Sequence, residues 1–223
     1  LPMNVQLITK QGEQGELPLS IPAERIGDQV TAAGIPFAIA KDGKNALRLA
    51  GQTLTLKKDT RRLALLLSAD SNRILDFTVG GKTVPCSVLS RTRRFASWDL
   101  YDLHETAHIQ EGQLGYVSTH SHNADGTDAI AKELYFYILI LNVQGGDTVV
   151  LPRDEETLVL AATELNTVAV PCVTPLYDRV EDRPFDYTMR LGDKLRYLRM
   201  KLPWYMGDKG RYFSCYNRGR ERE

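Results

Sequence analysis

Apolar residues in this chain stand in period two or in short runs. Glycine pairs, prolines and Asp/Asn turns cut these runs at spacings of roughly 8 to 12 residues, the pattern of an all-β chain. "ALRLAGQTLTLKK" (46–58) alternates, as a strand with one buried face does. "RRLALLLSA" (61–69) is apolar throughout, which suits a strand covered on both faces. "ILDFTVGGKTVPCSVLS" (74–90) reads as two strands around Gly80-Gly81, a two-residue loop whose glycines tolerate positive φ. The stretch 133–165 supplies three more strands, broken at Gly145-Gly146 and at Pro152-Arg153-Asp154. Together these predict an antiparallel β-sandwich over residues 1–183.

Residues 184–223 read as a basic C-terminal extension with a short helical segment. Leu191, Leu195, Leu198 and Leu202 recur at helical spacing until Pro203 stops the pattern. Residues 189–223 carry ten basic against four acidic residues, yet the 223-residue chain balances at 28 Lys+Arg and 28 Asp+Glu. No whole-molecule field therefore draws nucleic acid or a membrane surface. The basic helix is expected to pack on its own domain with a solvated cationic face. The longest apolar run, 134–143, is about half of the roughly 20 residues a membrane helix needs.

Cys86, Cys172 and Cys215 are odd in number and widely spaced, which suggests reduced thiols and a cytoplasmic protein rather than a disulfide framework. The chain opens at Leu1 without an export signal, and a start without Met reads as a piece of a longer protein.

His104-Glu105-Thr106-Ala107-His108 is a literal H-E-x-x-H, the spacing with which a zinc peptidase holds its metal and general base. On a helix His104 and His108 are one turn apart and can share one ion. On a strand, at about 3.4 Å per residue, they stand roughly 13 Å apart and cannot. Asp102 and Gln110 flank the motif where a zinc helix needs apolar packing, and Gly112 and Gly115 would interrupt such a helix. Residues 104–110 are therefore expected to be extended. A hairpin turning at Glu111-Gly112 would set His104 opposite His120, allowing a different metal site from His104, His120 and His122; ordinary surface or hydrogen-bonded strand histidines are the plainer reading. Asn123, Asp125, Thr127 and Asp128 around Gly126 could suit calcium, but they lack the twelve-residue calcium-hand pattern and its closing Glu, so a solvated turn is expected. No nucleophile elbow, phosphate loop, C-x-x-C pair or dinucleotide fingerprint is present.

The order of segments carries a resemblance. "GIPFAIA" and "NALRLAGQTLTL", then "RRLALLLSA", "SWDLY", "YVSTHSHNADGTD", and finally "YFYILILNV" with "VVLPRDEETLVLAAT" resemble the C-terminal β-rich region of bacterial α-mannosidase-like proteins of glycoside hydrolase family 38. The resemblance spans about residues 30–180 and rests most on Trp98-Asp99, Thr119-His120-Ser121-His122, Leu151-Pro152 and Ala161-Ala162-Thr163. It implies a non-catalytic portion of a larger glycosidase, a scaffold that lends a sugar-facing loop. The parent's zinc and carboxylate nucleophile would lie in an N-terminal domain whose His-x-Asp motif is missing here, leaving this chain without a cofactor. The implied partners are that catalytic domain, carbohydrate and further copies of the chain. Trp98, Asp99, Tyr101, His120, His122 and Asp125 are then the substrate-facing candidates, brought to one end of the sandwich by the hairpin at Glu111-Gly112. The competing reading is an independent zinc peptidase using His104, Glu105 and His108.

Overall fold

The structure, a computed structural model, describes residues 1–101 and 104–167, and for residues 96–101 and 104–109 it describes the backbone alone. The basic helical segment, Cys172 and Cys215 lie outside the described residues.

Every regular element among the described residues is a strand. The N-terminal part holds β1 (Ile8–Thr9), β2 (Leu19–Pro22), β3 (Gln29–Ala32), β4 (Ile35–Ala38), β5 (Leu47–Ala50) and β6 (Thr53–Thr55). The middle holds β7 (Arg62–Ala69), β8 (Arg73–Val79), β9 (Lys82–Val88), β10 (Ala96–Tyr101), β11 (His104–Ile109) and β12 (Gln113–Val117). The last five are β13 (Ser121–Asn123), β14 (Asp128–Ala129), β15 (Tyr135–Asn142), β16 (Thr148–Val150) and β17 (Arg153–Leu165).

The organising element is a five-stranded antiparallel sheet in the order β12-β15-β7-β17-β5. Its central strand β7 is the apolar run at 63–69, and alternation sends its side chains to two different cores. Leu63, Leu65 and Leu67 join Phe77, Val79, Val88 and Val149 of the facing four-stranded sheet β6-β16-β8-β9. Ala64 and Leu66 join Leu7, Ile8, Ile21, Ile35 and Phe37, which come from the N-terminal strands and loops. The chain is thus a β-sandwich whose larger sheet carries a further layer of short strands on its outer face. A continuous apolar strand is what such double coverage requires.

The hairpin at 74–90 forms as expected. Val79 pairs with Lys82, and Gly80 and Gly81 both hold positive φ, 52° and 80°, which the twist of a two-residue hairpin demands. The three strands expected in 133–165 are β15, β16 and β17. The alternating stretch 46–58 is one pattern but two strands: Gly51, at φ 80°, turns the chain so that β5 stays in the larger sheet while β6 crosses to the smaller. One pair, β1 with β2, is parallel.

The hairpin expected around Glu111-Gly112 does not form. β11 pairs with β10 in a separate two-stranded sheet, where His104 stands opposite Tyr101 and His108 opposite Ser97. β12 pairs instead with β15. Its hydrophobic alternation matches the larger sheet, and tertiary burial outweighed sequence proximity.

Candidate metal centre

The H-E-x-x-H segment is strand β11, as its alternation and polar flanks required. The helix that would place His104 and His108 around one ion is replaced by extended backbone. Trp98, Asp99 and Tyr101 lie on β10, in a different sheet from His122, and His120 sits in the bend before β13, so the hairpin does not unite these candidates. The site that does form was only half legible, and it is centred on His122.

β13 is three residues long and lies between β2 and β14, pairing His122 with Ser20 on one side and with Asp128 on the other. Directly opposed residues share a sheet face, so His122 and Asp128 project together. His120 sits in the bend just before β13, and its imidazole ring stands 5.7 Å from that of His122 between centroids. The turn after β2 brings in Glu24, with Ala23 N–H donating to the Thr9 carbonyl at 2.9 Å and Arg25 N–H to the Pro22 carbonyl at 3.1 Å.

His122 is fully buried. Its Nε2 lies 3.3 Å from Glu24 Oε1 and 3.5 Å from Asp128 Oδ1. His120 Nε2 is 3.9 Å from each of the same two oxygens. One ligand atom from each of Glu24, His120 and His122 falls within 4.8 Å of the others. Ligands about 2.1 Å from a tetrahedral ion are separated by about 3.4 Å, so these spacings leave room for one ion at the centre.

Both imidazoles are tied at the other nitrogen. Thr9 Oγ1 lies 3.0 Å from His122 Nδ1 and 2.6 Å from Ser20 Oγ, and Thr9 and Ser20 are themselves buried. Thr119 Oγ1 sits 3.0 Å from His120 Nδ1. If Thr9 donates to Ser20 it accepts from His122 Nδ1–H, and the Nε2 lone pair is then free to face the carboxylates. This is the outer support that metal-bound histidines carry. Close as the carboxylates are, His122 Nε2 hydrogen-bonds to neither of them. An imidazole held merely by ion pairing would aim N–H at an oxygen; this one meets hydrogen-bond geometry with neither.

Asp125 is spent on its own turn. Its Oδ1 accepts from Thr127 N–H at 3.0 Å and from Thr127 Oγ1–H at 2.6 Å, and these bonds, the hydroxyl's first, hold its carboxyl below the usual range. Asn123 Nδ2 donates to Thr127 Oγ1 at 3.0 Å. Asp125 Oδ1 and Thr127 Oγ1, two of the oxygens weighed for calcium, are therefore engaged within the turn, and Asp128 faces the histidines. Gly126 lets this turn dock: at φ 82° it closes the β13–β14 hairpin, and a Cβ there would come within 2.7 Å of the Gly12 backbone. Gly12 N–H and Gly15 N–H donate to the Gly126 and Ala124 carbonyls at 3.1 and 3.0 Å, fixing the hairpin against the segment that leads from Thr9 to β2.

Residues 1–168, three quarters of the chain, match the AziU2-like beta-sandwich domain. The chain belongs to this family. The match agrees with the sandwich built above and covers every residue of the histidine site. No curated protein matches the chain.

Glu24 and Thr9 had no signature in the sequence. Asp128 had one: the Asp125-Gly126 turn fixes a hairpin that sets residue 128 opposite 122.

Proposed function

We propose that this AziU2-like sandwich binds a divalent transition-metal ion through His120 and His122 Nε2 and Glu24, with Asp128 facing the two rings beside it. The observation that carries the reading is the buried His122 Nε2, which makes no hydrogen bond while two carboxylate oxygens lie within 3.5 Å. Imidazole with carboxylate suits zinc, and also manganese, iron or cobalt. The test is metal content of the full chain after equilibration with zinc and dialysis. About one ion per chain is expected, retained in His104→Ala and lost in His122→Ala. Glu24→Gln, at an exposed position, serves as a second variant and weakens binding without burying a defect. Zinc retained equally in the His122 and Glu24 variants, or absent from the parent chain, would refute the reading.

A second reading follows the family 38 resemblance, in which the domain is a non-catalytic part of an α-mannosidase-like enzyme. What favours it is that His120 and His122, from the segment that carries the resemblance, converge on one site. The catalytic motif is missing from this sequence, so the chain alone is expected to turn over no aryl mannoside. His120→Ala in a full-length parent enzyme should lower kcat/KM by about tenfold or more. Unchanged kinetics with unchanged melting temperature would remove the sugar-facing role.

A further inference from the structure

The site is closed on one side and open on the other. His122 is 0% exposed at its side chain and His120 15%, whereas Asp128 and Glu24 are 36% and 42% exposed. An ion held by His120, His122 and Glu24 would lie against the buried His122 and reach solvent past the exposed carboxylates of Glu24 and Asp128. Glu24 is also part of the wall of an open cleft of about 410 Å³, formed with Lys10, Gln11, Ala23, Lys41 and Asp42. That volume is within the range of small-molecule sites.

Lys10, Gln11 and Lys41 line this cleft together with Glu24. Lys10 follows directly on Thr9, whose hydroxyl contacts His122, so the backbone that orients the imidazole also places the lysine. Its partner Asp42 is 3.5 Å away, and the two side chains are 72% and 91% exposed. So loose and exposed a pair is worth little, and it yields to an incoming anion. Lys41 is less exposed and is anchored to Asp28 at 2.8 Å. One carboxylate ligand leaves a divalent ion with net positive charge, which draws an anion. An ion with one position left open by three protein ligands, beside a cleft that carries Lys10 and Lys41, favours an oxygen anion over a neutral ligand.

Resting on the metal reading, we propose that this cleft admits a small oxyanion, phosphoryl or carboxylate. One of its oxygens would take the ion's outward coordination position and another would meet Lys10, with Lys41 and Gln11 on the opposite side. No covalent bond within the anion would be made or broken: the ion's bond to a water would give way to one from the anion, the water returning to solvent.

Cobalt(II) in place of zinc makes the exchange visible, because its d–d absorption follows the coordination sphere. The full chain loaded with cobalt is titrated with inorganic phosphate and, separately, with acetate. At least one anion should shift the bands, and which one does so identifies the phosphoryl or the carboxylate class. Lys10→Gln should weaken that anion by about tenfold or more while leaving cobalt affinity unchanged. Bound cobalt whose bands move with neither anion, or only with methyl α-mannoside, overturns the proposal and leaves the metal site standing. An anion response unaltered in both Lys10→Gln and Lys41→Gln overturns the part played by the cleft. Failure to bind cobalt or zinc at all overturns the metal reading itself.

Discussion

Thr9 decides which nitrogen of His122 faces the carboxylates. It sits between Ser20 Oγ and His122 Nδ1, at 2.6 and 3.0 Å, inside the protein. Removing the hydroxyl while keeping the branch frees the ring to change tautomer and orientation. Thr9→Val is therefore expected to lower metal affinity by about 10- to 100-fold, the usual loss when a ligand's supporting partner is deleted. Competition against a chelator of known affinity measures this, and an unchanged constant would show that the ring is fixed by packing alone. Asn45 plays a comparable positioning part nearby. Its Oδ1 accepts from Leu7 and Ile8 N–H at 2.7 and 2.9 Å and its Nδ2 donates to the Ile8 carbonyl at 2.8 Å, so the short strand before Thr9 is held by a buried side chain.

Among the elements, β13 and β17 show how much a strand's neighbours add to its own pattern. β13 carries only His122 of the two histidines; His120 lies in the bend before it and faces the same two carboxylates from there. What surrounds them follows from pairing with β2 and β14. At the far end of β17, Glu164 accepts from the Thr60 hydroxyl and from Lys57 N–H at 2.8 Å. The Thr60 hydrogen bond, and after it the Lys57 N–H, hold the Glu164 carboxyl below the ordinary carboxylate range. A depressed folded-state pKa contributes stability that is present above the unfolded value, about 4.3, and is lost as pH falls through the folded one. Thr60→Val is thus expected to destabilise the protein by about 1 kcal/mol at pH 7. The difference from the parent chain should narrow on the acid side of that window. Urea unfolding at pH 7 and at pH 3 reads both effects, and an equal loss at the two pH values would assign the whole change to packing.

For the molecule as a whole, the five-stranded sheet belongs to both cores. Leu65 and Leu66 are adjacent and both 0% exposed, yet one packs toward the four-stranded sheet and the other toward the N-terminal layer. Truncating either to alanine should cost about 2–5 kcal/mol, and because the layers share the sheet both losses should appear in one unfolding transition of the sandwich. Distinct transitions for the two variants, followed by denaturant titration, would show that the layers unfold separately. Among the described residues no helix is long and apolar enough to cross a membrane.

The sequence by itself determined the class and several of the parts: the glycine hairpin at 80–81, the doubly covered β7, the three strands of 133–165 and the extended state of 104–109. Those features are local, set by period, turn chemistry and the length of apolar runs. Only the tertiary structure decided that β11 would pair with β10 and β12 with β15, because both hairpins are compatible with the same alternation and burial against β15 settles the choice. Only it could bring in Glu24, 98 residues before His122, and turn Asp128 rather than Asp125 toward the ring. A metal centre assembled across sheet neighbours leaves no spacing in the sequence, since the distance between its ligands is set by strand pairing and not by the chain that joins them.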